Sequence, residues 1–117
     1  MKTGAQLMAE AKARITEVTP EQVLEMQQRG EPVTLLDVRD LHEVNAAKIP
    51  GTLHISRGNL ETKIEAQVPR EAHVIIYCAT GNRSVFAADR LREMGYSNVA
   101  SMSGGIRDWI AAGGEIE

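Results

Sequence analysis

The residue with the most chemistry to offer is Cys78, the only cysteine in a chain of 117 residues. It closes the apolar run Val74-Ile75-Ile76-Tyr77 and opens Ala79-Thr80-Gly81-Asn82-Arg83-Ser84, so four residues separate the thiol from a guanidinium. Strand, short polar loop and helix in that order would place the sulfur at the carboxyl end of a strand, facing the amino end of a helix. The unpaired N–H groups of a helix start carry roughly half a positive charge, and Arg83 adds a cation. Each favours thiolate over thiol, so Cys78 is expected to be a nucleophile that ionises more readily than a free cysteine. The spacing also lets the amides of Ala79 to Arg83 converge on a point just above the sulfur, with Gly81 free to take a positive φ. Such a nest would hold a small anion or the outer sulfur of a persulfide. The plainer alternative is a structural cysteine ending a core strand; the strand, the glycine and the helix around it favour the reactive thiol.

Other candidate groups are read more conservatively. Asp37 and Arg39 flank Val38 at the end of a second apolar run, where an ion pair that fastens loops is the preferred reading. Asp40 can cap a short turn through Leu41 to Val44, with Glu43 at the capping-box position. His54, between Leu53 and Ile55, reads as a packed or loop-bonding residue rather than a base for Cys78. His42, His54 and His73 lie on separate elements without the paired spacing of a metal site, so no metal and no cofactor are expected.

These groups need a frame to hold them. Ala5 to Ile15 carries Met8, Ala11 and Ile15 on one helical stripe; it is expected to lie on its own domain, with a detachable docking arm as the alternative. Thr19-Pro20-Glu21-Gln22 is a helix start with an N-cap, a proline in the first turn and a capping-box glutamine, and Gly30 ends that helix. Val33 to Val38 then reads as a strand, Leu53 to Ile55 as a short one, and Asn59 to Val68 as an exposed helix stopped by Pro69. Ala87, Leu91 and Met94 mark the helix after Cys78, which ends at Gly95. Ser97 to Met102 is a weaker strand, and Ile106 to Ala112 a last helix stopped by Gly113-Gly114. Apolar strands alternating with helices predict βαβ units around a parallel sheet. Residues 1–15 are read as an N-terminal amphipathic extension and 16–117 as one domain.

Composition narrows the function classes. Hydrophobic residues make up 43% and charged ones 25%, and the formal charge is -3. That leaves no basic field for nucleic acid or acidic membranes, and one Trp, two Tyr and one Phe offer little for base stacking. A lone cysteine can form no internal disulfide. The opening residues reach Glu10 and Lys12 before any run long enough for a signal peptide or membrane span, so a cytoplasmic home is expected.

Taken together, Leu35-Leu36-Asp37-Val38-Arg39, Glu43, Ile49-Pro50-Gly51, Tyr77 to Ser84 and Gly104-Gly105-Ile106-Arg107-Asp108-Trp109 followed by Gly113 resemble a single-domain rhodanese, a thiosulfate sulfurtransferase-like protein. The resemblance runs from about Thr16 to Glu117. It implies a three-layer α/β fold, a central five-stranded, mostly parallel sheet flanked by helices, with the active-site loop after the fourth strand. It also implies that Cys78 carries sulfur as a persulfide, that Ala79, Thr80, Gly81, Asn82, Arg83 and Ser84 bind the substrate, and that Asp37, Arg39 and Glu43 organise neighbouring loops. The implied partners are a small anionic sulfur donor and an external thiol or protein acceptor, in a monomer or a homodimer. The chain departs from the family at Ala47-Lys48, where Gly-His is frequent, at Thr52, where Ala is frequent, and at Val44-Asn45, where an aromatic residue is common. Two rival readings are a cysteine phosphatase or arsenate reductase of the same fold, whose loop is one residue longer, and a sulfur-relay or partner-binding module, of which those that only bind partners typically lack the cysteine.

Overall fold

The computed structural model describes residues 1–117. In chain order the elements are α1 (Gly4–Arg14), β1 (Thr16–Val18), α2 (Pro20–Gln28), β2 (Thr34–Asp37), α3 (Leu41–Ala46), β3 (Leu53–His54), a 3-10 turn (Arg57–Asn59) leading into α4 (Leu60–Gln67), β4 (Val74–Tyr77), α5 (Asn82–Glu93), β5 (Val99–Met102) and α6 (Gly105–Ala111). The strands form one sheet in the order β1-β5-β4-β2-β3, and every pairing is parallel.

Alternation along the apolar runs explains the three layers. Leu36, Val74, Ile76 and Cys78 face one core with Leu60 and Ile64 of α4 and Ala87, Ala88 and Leu91 of α5. Leu35, Ile75 and Tyr77 face the other with Val23 of α2 and Ile106 and Trp109 of α6. Leu36, Val74, Ile75, Ile76 and Tyr77 are fully shielded, and each such side chain contributes about 1.5–3 kcal/mol by leaving water. The central strand β4, covered on both faces, is apolar at every position.

The helix starts follow their capping residues. Thr3 and Thr19 each accept from the amide three positions on, at 3.1 Å, while Gln6 and Gln22 reach back to the cap amides at 2.8 Å. Helix α1 lies against α5. It shields Ala11, and Arg14 forms a two-point ion pair with Asp89 at 3.0 and 2.7 Å.

The strand β1 has no counterpart in the sequence reading, which found four apolar runs. It is three residues long, with Thr16 and Glu17 exposed, so it presents no apolar signal. Its identity comes from pairing: Thr16, Glu17 and Val18 run beside Ala100, Ser101 and Met102. No helix is long and apolar enough to cross a membrane.

Candidate active site

Cys78 follows the last residue of β4, the strand in the middle of the sheet. The next residues reverse direction within a few positions because Gly81 takes φ +107, a region that L side chains resist. That turn brings two amides onto the sulfur. The Gly81 N–H donates to Sγ at 3.1 Å and the Ser84 N–H, in the first turn of α5, donates at 3.4 Å. The thiol in turn donates to Ser84 Oγ at 3.4 Å. Ser84 Oγ lies 2.8 Å from Ser101 Oγ on β5, so a buried pair of hydroxyls supports the sulfur from the sheet side.

The sulfur is enclosed as well as cradled. Cys78 has no exposed surface, Gly81 and Ser84 are buried, Ala79 is half-buried, and Thr80 and Asn82 face solvent. The sequence indicated the amides but not the way α6 anchors the backbone on either side of the thiol. The Ile106 and Arg107 amides donate to the carbonyls of Cys78 and Ala79 at 2.9 and 3.2 Å. Contact that close requires Gly105, where a Cβ would sit 2.3 Å from the Cys78 carbonyl oxygen. A Cβ on Gly81 would meet the Gly104 amide nitrogen at 3.1 Å. Gly104 and Gly105 are thus the seat of the loop, together with Ser101 a part of the site that sequence reasoning missed. Adjacent glycines at a strand-to-helix junction were the available signal.

Arg83 does not stand as a free cation over the thiol. Its guanidinium donates through both Nη atoms to Glu43 of α3, at 2.7 and 3.0 Å. The Glu43 carboxylate also accepts the Asp40 N–H at 3.0 Å. The Arg83 hydrogen bonds hold the Glu43 carboxyl well below the usual carboxylate range, at about 2, and Glu43 in turn raises Arg83. Glu43, read from the sequence as a capping residue, therefore does two things at once.

Asp37 and Arg39 form a buried ion pair with Nη2 to Oδ2 at 2.9 Å. The Arg39 guanidinium also donates to the carbonyls of Ala47 at 2.6 Å and Glu43 at 3.4 Å, and lies over the Tyr77 ring. This ties the segment after β2 to the strand that ends at Cys78. His54 bonds the Arg39 carbonyl at 2.8 Å and Ser56 at 3.3 Å and makes no hydrogen bond to the thiol. Asp40, His42 and Glu43 place three possible ligand atoms within 4.8 Å of one another, a grouping that neither histidine spacing nor the cysteine count indicates. Glu43 in that group is already held by Arg83.

Comparison with known proteins agrees with this frame. The family description of the rhodanese-like domain matches residues 19–112. Actinobacillus succinogenes thiosulfate sulfurtransferase GlpE is 36% identical over 105 residues, covering 87% of this chain and 90% of that protein. Bacillus subtilis YrkF, named for a sulfur-carrier role, is 29% identical over 109 residues, covering 93% of this chain and 58% of its own length. Among solved structures, a Rhodopseudomonas palustris protein of unknown function, for which a tyrosine phosphatase activity has been suggested, superposes with a TM-score of 0.91 at 33% identity. It covers 100% of this chain and 96% of its own. With the parallel sheet, the loop that follows β4 and the matched span of 19–112, the chain belongs to the rhodanese-like domain family.

Proposed function

We propose that the protein is a sulfurtransferase that moves a sulfane sulfur through a persulfide on Cys78. The observation that carries this reading is the convergence of the Gly81 and Ser84 amides on the Cys78 sulfur at 3.1 and 3.4 Å. Donors so placed stabilise negative charge on sulfur, both on the attacking thiolate and on the outer sulfur of a persulfide. In the first step the thiolate attacks the outer sulfur of thiosulfate or a similar donor. A new S–S bond forms, the donor's own S–S bond breaks, and its electron pair leaves with sulfite, or with the thiolate when the donor is an organic persulfide. In the second step cyanide, a thiol or a protein acceptor attacks the outer sulfur, and the persulfide bond breaks to return the Cys78 thiolate. No electrons are gained or lost overall, so neither cofactor nor metal is needed.

Two structural facts shape this reading. Cys78 has no exposed surface, so a donor reaches it only when part of its surroundings gives way. Cys78 is also the only cysteine, so the persulfide cannot be resolved as an internal disulfide and the acceptor comes from outside. The kinetic test is a matrix of initial rates with thiosulfate and cyanide varied together. Parallel double-reciprocal lines, the mark of a covalent intermediate, support the proposal, and intersecting lines or activity retained by Cys78→Ala contradict it.

A phosphatase reading follows from the Rhodopseudomonas palustris relative, for which a tyrosine phosphatase activity has been suggested. It fits the site less well. Four residues separate Cys78 from Arg83, and two of the loop amides already meet at the sulfur, a ring suited to one atom rather than a tetrahedral oxyanion. Turnover of an aryl phosphate that disappears in Cys78→Ala would reverse the order.

A further inference from the structure

Three arginines lie on segments that touch the Cys78 strand or its loop, and each has a carboxylate in contact. Arg39 pairs with buried Asp37 at 2.9 Å, Arg83 with Glu43 at 2.7 Å, and Arg107 with Asp108 at 3.0 Å. Arg83 is the only cation within the loop itself. Its partner comes from another element forty positions earlier and is fixed independently of it, by the Asp40 N–H at 3.0 Å. Exposed Asp40 adds a second carboxylate beside the first. The one cation of the loop is therefore set against two carboxylates, the nearer of them in direct contact with it.

A neutralised loop cation treats donors differently according to charge. Thiosulfate brings two negative charges, whereas an organic persulfide brings one, on the sulfur to be transferred. We infer that Glu43 is a specificity-determining residue that cancels the Arg83 charge and so turns the site away from doubly charged donors and toward singly charged organic persulfides. This rests on the sulfur-transfer reading and names the donor class for it. Glu43 acts here through Arg83 rather than by touching the reacting sulfur.

The experiment compares thiosulfate with 2-hydroxyethyl persulfide as donors for the wild type and Glu43→Gln, which keeps an oxygen for the Asp40 amide while removing the charge. Exposing one partly solvated cation should lower KM for thiosulfate and shift the ratio of kcat/KM values roughly three- to tenfold toward it, with the gain shrinking at high salt. Glu43→Asp, which withdraws the carboxylate by one methylene, is expected to give an intermediate shift and serves if the glutamine variant does not fold. A second measurement needs no turnover: calorimetric affinity for thiosulfate in Cys78→Ser, with and without Glu43→Gln, should tighten by a similar factor and lose that gain when Arg83→Gln is added. An unchanged ratio, or equal loss with both donors, in variants that melt like the wild type overturns the inference while leaving sulfur transfer intact. Tighter thiosulfate binding without transfer from any donor supports the charge role and overturns the sulfur-transfer reading instead.

Discussion

At the residue scale the site depends on two glycines and one ion pair as much as on the thiol. Gly81 sits at φ +107 with its would-be Cβ against the Gly104 amide. Gly81→Ala is therefore expected to cost roughly 1–2 kcal/mol from the backbone alone and to lower activity further by pulling the amide from the sulfur. Melting temperature and kcat/KM measured together check this, and an unchanged rate would show that the Gly81 N–H is not needed. Gly105→Ala drives a methyl into the Cys78 and Ala79 backbone and should destabilise by about 1–3 kcal/mol or more. Glu43 makes a pH-dependent contribution of known direction. Its carboxyl is lowered from 4.5 to about 2, so the ion pair stabilises the fold fully above 4.5 and loses its effect as pH falls through about 2. The stability difference between wild type and Glu43→Gln, followed by denaturant melts, should be flat near neutrality and shrink across that window; a difference that grows on acidification would contradict the assignment. The cysteine, its loop and the following arginine were legible in the sequence because they are contiguous. The Arg83 partner was not, because only the fold brings residue 43 to residue 83.

At the scale of elements, the structure separates signals that patterning carries from those it cannot. The run Val74 to Tyr77 is apolar throughout because both faces of β4 are covered, and β2 shows the same feature at Leu35 and Leu36. Their strand character was readable for that reason. The edge strand β1 has only Val18 partly shielded, and its place beside β5 is fixed by hydrogen bonding that no local pattern encodes. Likewise the apolar stripe announced α1 and the capping residues announced α2, while α6 spans Gly105–Ala111, one residue earlier than the expected Ile106 to Ala112. Helix α1 gives the element-scale prediction. Arg14 is 45% exposed at its pair with Asp89, so Arg14→Ala should cost little, whereas Ala11→Glu forces a charge into a site 1% exposed and should loosen α1 from α5 altogether. Thermal melts of the two variants check the ranking, and equal effects would show that the ion pair rather than packing holds the helix.

At the scale of the molecule, α/β alternation foretold a parallel sheet between helical layers, and the radius of gyration of 13.4 Å matches the roughly 13 Å expected of one compact domain of this length. The strand order β1-β5-β4-β2-β3 was beyond sequence patterning, since it depends on which strand each crossover returns to. That order sets β4 at the centre, so that the loop after it is gripped by α3 through Glu43 and Arg83 on one side and by α6 through Ile106 and Arg107 on the other. The whole fold is thus arranged so that one buried sulfur lies under two amides. The most direct measurement is the intact mass of the protein after treatment with thiosulfate or an organic persulfide and removal of the excess donor. The account predicts a gain of one sulfur atom on the wild type, reversed by cyanide and absent from Cys78→Ala; no gain on the wild type, or the same gain on the variant, would contradict it.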